Sequence, residues 1–212
     1  MKIPNHIKSL VVHVLQYSSA ISVLFAVASY FWEAPDRQKQ KHYQAWQVIN
    51  TAQGRGGSGG RIEALQELNA DKVPLVGVDV SNAFLFGIRV RKASMARSTL
   101  NGADARESDW EGTNFDFANL SSANFRHSNL RGAQLQHARL EDCDLNGADL
   151  RGANLNFSML DEADLRNSDL AGVKWAQIES VAKTNIYGVR NAPEGFIEWA
   201  LKHGAVADKD VE

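Results

Sequence analysis

The chain has one cysteine, Cys143, and so cannot close an internal disulfide; its fold rests on other forces, and the redox compartment stays open. Metal-ligand spacings such as Cys-x-x-Cys are missing. The glycine run Gly54 to Gly60 lacks the Gly-Lys-Ser/Thr ending of a phosphate loop. His6, His13, His42 and His203 are scattered through tails and helical segments. No catalytic, cofactor-binding or metal-binding residues are assigned, and an enzyme is not expected. The formal net charge is only −2, which offers no bulk electrostatic case for nucleic acid.

What the chain does have is a five-residue period. Every fifth residue from Val80 to Trp175 is apolar, with Leu at every step from Leu130 to Leu170. Two residues earlier runs a second column, which from Ala93 to Ser168 holds only Ala, Ser, Thr or Cys. Five matches neither the 3.6 of a helix nor the 2.0 of a strand. The chain must therefore turn at short fixed intervals and repeat the turn. The large residue of each unit points inward, the small residue fills a corner, and the other three face water.

The units Ala118-Asn119-Leu120-Ser121-Ser122, Ala148-Asp149-Leu150-Arg151-Gly152 and Ala153-Asn154-Leu155-Asn156-Phe157 resemble the pentapeptide-repeat family. The resemblance implies a mainly β fold, a right-handed quadrilateral β-helix with four units per coil. Paired carboxylates are then architecture, because the motif itself places Asp or Asn beside each turn. Ala105 is undersized for its column, leaving room for Trp110. Val78 and Ile88 are oversized for the corner column, so the first coil is expected to be irregular. Cys143 reads as a small buried corner residue.

Around this solenoid (73–177) the chain divides into a tail (1–9), a transmembrane helix (10–32), a juxtamembrane amphipathic helix (33–53), a Gly-rich hinge (54–60), an N-terminal cap helix (61–72) and a C-terminal cap (178–212). Leu10 to Trp32 carries no formal charge and is long enough to span a bilayer; Tyr30, Phe31 and Trp32 close it as an aromatic belt. A signal peptide cleaved near Ala26-Val27-Ala28 is the alternative. Ser18, Ser22 and Ala26 form a small-residue stripe suited to a partner helix. The expected localisation is single-pass membrane, the membrane itself being the first partner, with the rod leaning to the cytoplasmic side. In the segment after Pro35, Tyr43, Trp46 and Ile49 make the apolar face. In the cap helix Ile62, Leu65 and Leu68 do so. At the far end, Pro193 opens and Gly204 closes a helix with Phe196, Ile197, Ala200 and Leu201 on its apolar face, covering Trp175, Ile178 and Tyr187.

With twenty residues per coil, residues twenty apart stack. One face carries Arg91, Arg131 and Arg151; the next Arg106, Arg126 and Arg166; a third Phe117, His137 and Phe157; the fourth Glu141, Asp142, Asp161 and Glu162. The rod is therefore expected to be electrically two-sided, with an aromatic ladder between the poles. His127 and His137 fall on different faces. Gly112, Gly132, Gly152 and Gly172 align, which calls for positive φ at one corner. Exposed aromatics and Arg favour protein contact, so the candidate partner-binding residues are Phe117, His137, Phe157, Arg126, Arg131, Arg151, Ser18, Ser22 and Ala26. The function expected is a membrane-anchored, non-enzymatic interaction scaffold or accessory subunit docking protein partners of a membrane complex. The alternative implied by the resemblance is a DNA-imitating protein that protects topoisomerases. Eleven cations against fourteen anions in residues 73–177 make a poor substitute for phosphates.

Overall fold

In the computed structural model each five-residue unit is a tight turn followed by three extended residues. The structure describes residues 22–25, 28–29, 32–52 and 58–209. In a typical turn the amide of Ala118 donates to Phe115 O at 2.9 Å, and Phe117 between them has φ 61°. Left-handed backbone confined to the third residue is the pattern of a type II turn. The expectation of positive φ at one corner is too narrow, because all four corners use it: Phe117, Ser122, His127 and Gly132 are successive examples.

Coils are joined by parallel bridges between residues twenty apart, from Asp79↔Thr99 to Asn154↔Lys174. Each wall holds a single bridged residue, so the protein has few formal strands. Two turn residues in every five leave no room for longer ones. The bridged residue serves both neighbours: Asp144 accepts from Phe125 N at 2.7 Å, and its own amide donates to Ala123 O at 3.0 Å.

The leucine column from Leu130 to Leu170 is fully buried, and the small corner residues, Cys143 included, are buried with it. Burying a leucine contributes about 1.5–3 kcal/mol, and repeated rungs add along the coil axis. Trp110 fits inside the tube, with its ring 5.3 Å from Phe115 and 6.1 Å from Phe125. Phe125 is the residue one coil beyond the undersized Ala105. The first coil is regular, contrary to expectation: Val78 and Ile88 are buried and their turns close on Leu75 O and Leu85 O. Each stacks on a serine of the next coil, Ser98 or Ser108, whose small side chain leaves the room.

After Trp175 the register slips to twenty-one, with Met159↔Ser180, Asp164↔Asn185 and Asp169↔Arg190. Glu179 N donates to Ser158 O at 2.9 Å while Ser180 O accepts from Leu160 N at 3.0 Å. Two residues thus do what one does elsewhere, which is a β-bulge. The coil continues past the expected boundary at 177, and Val206 adds a last bridge to Asn185.

Three helices are described: α1 (Ala34–Thr51), α2 (Arg61–Ala70) and α3 (Phe196–Lys202). The chain forms two units, Met1–Gln44 and Ala45–Glu212. Within the second unit, Ala45 and Ile49 of α1 and Ala64, Leu65 and Leu68 of α2 join the core, with Trp46 and Ile62 half-buried against it. Tyr43, expected on the apolar face of α1, is instead exposed. Arg61 is fully buried and donates to Ala52 O at 3.0 Å and Ser58 O at 3.2 Å, satisfying a carbonyl beyond the end of α1. At the other end α3 turns Phe196 and Ala200 inward, while Ile197 and Leu201 are exposed. Trp175 packs edge-on to Phe196 at 5.5 Å and against Trp199 at 5.5 Å. Trp199 thus takes the place expected for Ile197. Tyr187 is exposed rather than covered.

The expected single-pass membrane localisation, with the membrane as partner, is corrected. Among the described residues no helix is long and apolar enough to cross a membrane. The longest, α1, carries Asp36, Arg37, Lys39 and Lys41, each costly in hydrocarbon. The expected tail 1–9, most of the expected span 10–32 and most of the hinge 54–60 lie outside the described residues.

Candidate interaction surface

The corner that follows Phe115, Leu135 and Leu155 carries the aromatic column. Phe117 and His137 stack with ring centroids 4.6 Å apart and planes 8° apart, and His137 and Phe157 stack at 4.8 Å and 5°. The spacing is that of neighbouring strands, so the coil sets it. Arg97, one coil before, places its guanidinium carbon 5.7 Å from the Phe117 centroid and heads the column with a cation–π contact. Arg97 was not among the expected site residues, although the twenty-residue coil puts it directly in line.

These side chains are costly where they stand. Phe117, His137 and Phe157 have φ of 61°, 57° and 62°, a region where a bulky residue is an outlier. Phe117 is 55% exposed. The bridged residues of the walls beside the column are Asn114, Gln134 and the buried Asn154 on one side, and Asn119, Arg139 and Met159 on the other.

Arg131 and Arg151 lie one corner before the ladder, and Arg126 lies at the corner diagonally across the coil. The structure therefore does not bring Arg126 together with the aromatics. Ser18 and Ala26 lie outside the described residues, and Ser22 is an exposed helical residue.

The expected two-sided electrostatics is also corrected, because most arginines are neutralised by the adjoining acidic column. Arg106, Arg151 and Arg166 grip Asp104, Asp149 and Asp164 at 2.5–2.7 Å. Arg91 reaches Asp109 at 2.6 Å, and Arg126 lies 3.6 Å from Asp144. On the expected acidic face, Glu141 meets Arg139 and Glu162 meets Lys183. The hydrogen bond from Arg106 lowers the Asp104 pKa, and that from Arg151 lowers Asp149. Burial pushes Asp164 upward, but bonds from Arg166 and Asn146 outweigh it and hold the carboxyl below its ordinary value. Burial raises Asp144 and takes the Cys143 thiol well above its usual range. The Asp and Asn oxygens also cap the turns, as in Asn146 N to Asp144 Oδ1 at 3.0 Å. Among the described residues no group of His, Cys, Asp or Glu could hold a metal ion.

The family model for pentapeptide repeats matches residues 93–132 and 133–172, in eight copies. No curated protein matches the chain. Among solved structures, the pentapeptide repeat protein Rfr23 from the cyanobacterium Cyanothece 51142 is 22% identical, with 57% of this chain and 65% of that one covered and a TM-score of 0.34. The pentapeptide repeat protein alr5209 from Nostoc Pcc 7120 is 24% identical, covering 56% and 95%, with a TM-score of 0.44. QnrB1, a plasmid-mediated fluoroquinolone resistance protein, is 16% identical, covering 64% and 77%, with a TM-score of 0.45. The likeness is one of fold. The chain spans just under two thirds of the length of Rfr23.

Proposed function

The repeat region belongs to the pentapeptide-repeat family, and from that premise we propose that this protein is a non-catalytic protein-interaction module whose docking surface is the ladder Arg97–Phe117–His137–Phe157. One observation carries the reading: three large rings, Phe117 and His137 exposed and Phe157 half-buried, are kept at the surface on turn positions where glycine is free of strain, as at Gly132 and Gly152 one corner earlier. Strain of this kind persists where function uses it. The partner is a protein offering an apolar edge to the rings and backbone or side-chain polar groups to Asn114, Gln134 and Asn119. The wall carboxylates Asp104, Asp149 and Asp164 are engaged by turn amides and arginines, an architectural use that supports a non-enzymatic role.

DNA imitation is the weaker reading, because its dense negative field is cancelled locally by Arg91, Arg106, Arg151 and Arg166. The test compares, by quantitative mass spectrometry, the proteins co-purifying with the wild type and with a Phe117→Ser, Phe157→Ser variant of equal stability. A partner lost with the rings supports the reading, and an unchanged partner set removes it.

A further inference from the structure

Stacking uses up the faces of the ladder rings and leaves their edges to solvent. His137 has a phenyl on each side, Phe117 at 4.6 Å and Phe157 at 4.8 Å. Phe117 has His137 on one side and the Arg97 guanidinium on the other, its carbon 5.7 Å from the ring centroid. Parallel ring planes approach no closer than about 3.5 Å, so rings spaced by one coil tilt by at most about 40° from lying across the coil axis. A group arriving from the side therefore meets C–H edges. Phe117 is 55% exposed, and with both its faces covered that exposed part is edge.

The outward side of the column is electropositive. A ring edge is the positive end of the aromatic quadrupole. Arg97 has no carboxylate partner among the described residues, unlike Arg106, Arg151 and Arg166. The acid next to Phe117 in the chain, Asp116, is occupied by the amide of Gln136, which donates to its Oδ1 at 3.1 Å. Neither ring nitrogen of His137 has a hydrogen-bond partner among the described residues, and a neutral imidazole offers one donor and one acceptor. The complement of such a surface is a negative π face with an anion beside it.

We propose that the ladder takes an acidic–aromatic segment of its protein partner. The ring of a tryptophan or tyrosine lies face-down across the edges of Phe117 and His137, and a neighbouring carboxylate meets Arg97. Edge-to-face contact is a preferred aromatic geometry. The Trp N–H or Tyr O–H finds its hydrogen bond at the unpartnered imidazole of His137. An aliphatic side chain would fill the same space without offering a π face. This inference rests on the ladder being the docking surface and names the chemistry that docks there.

The test is an NMR titration of the full chain, its phenylalanine and histidine rings isotope-labelled, with the acetylated dipeptide amides Glu-Trp, Glu-Leu and Lys-Trp at millimolar concentration. Glu-Trp is expected to bind saturably, and the other two at least threefold more weakly, the scale of one edge-to-face pair. A face-down indole shields the protons beneath it, so the ring protons of Phe117 and His137 should move upfield. Arg97→Gln should erase the preference for Glu-Trp over Lys-Trp and keep that over Glu-Leu. Phe117→Ser should weaken Glu-Trp at least threefold. Absence of saturable shifts at the ladder, downfield shifts of the same protons, or equal affinity of Glu-Trp with either other dipeptide would overturn the proposal. Those readings come from the wild type and decide the matter even if a variant fails to fold. A partner lost with the rings, together with no preference for Glu-Trp, would remove this inference and leave the ladder reading standing. An unchanged partner set removes the docking role itself, whichever dipeptide binds best.

Discussion

The Nδ1–Cε1 edge of the His127 imidazole lies against Gly147, the residue one coil on, so closely that a Cβ built on Gly147 would collide with both atoms. Asn82 sits over Gly102 and Asn167 over Gly188 in the same way. A side chain at the third turn position folds back onto the coil that follows when that coil offers glycine. The ladder column has no glycine between Arg97 and Phe157, so its rings stand outward and stack instead.

Gly147→Ala therefore meets two penalties, a left-handed φ of 68° and the His127 ring, and should destabilise by about 2–4 kcal/mol in all. Gly152→Ala meets open space and only the backbone penalty of about 1–2 kcal/mol. Urea unfolding of both variants, with His127→Ala added to Gly147→Ala, separates the terms. If the two alanine variants lose the same stability, the proposed steric role of His127 is wrong.

Ser98 and Ser128 bury hydroxyl oxygens without a hydrogen-bond partner, whereas Ser158 and Ser168 donate to Leu155 O and Leu165 O at 2.7 Å. An unmatched buried polar group costs about 1–3 kcal/mol. Ser128→Ala, in a column that already accepts alanine, should leave stability unchanged or raise it by about 1 kcal/mol. Ser158→Ala should lower it by a similar amount, with thermal melts as the readout.

Acid behaviour follows from the paired carboxylates. Asp104, Asp149 and Asp164 have folded pKa values below their ordinary ones. Their contribution is complete above the unfolded carboxylate value of about 4 and drains away as pH falls through the folded values. Asp144, raised mainly by burial, has the opposite sign: its contribution is complete below about pH 4 and is lost as pH rises through its folded pKa. Asp144→Asn should therefore gain stability at pH 7 relative to the wild type and lose that gain near pH 3. Asn124, one coil earlier in the same column, shows that an amide can cap the turn there, donated to by Arg126 N at 3.1 Å. Urea titrations at the two pH values decide it, and a stability loss at pH 7 would mean that the Arg126 contact outweighs desolvation.

Much of this geometry was legible because one number, five, governs both burial and turning. The leucine column, the buried small corners and the alignment of Phe117, His137 and Phe157 follow from counting. The coil beyond Trp175 was not legible, since the extra residue at the Glu179 bulge moves the next inward residues to Val181 and Ile186, out of step with the column. The charge pattern was misread because Arg106 and Asp104 point along adjoining columns and meet through rotamers that spacing does not reveal. The inward turn of Trp199 in place of Ile197 reflects the ring of Trp175, which needs an aromatic neighbour at that end.

The central claim is that the stacked surface rings are retained for contact and not for folding. Its most direct measurement is the thermal midpoint of the triple variant Phe117→Gly, His137→Gly, Phe157→Gly. Each lost ring pair forfeits about 0.5–1.5 kcal/mol of stacking, while each glycine relieves about 1–2 kcal/mol of left-handed strain. The account predicts a midpoint level with the wild type or higher. A large fall, of the size produced by Leu150→Ala in the core, would make the ladder a structural staple and contradict it.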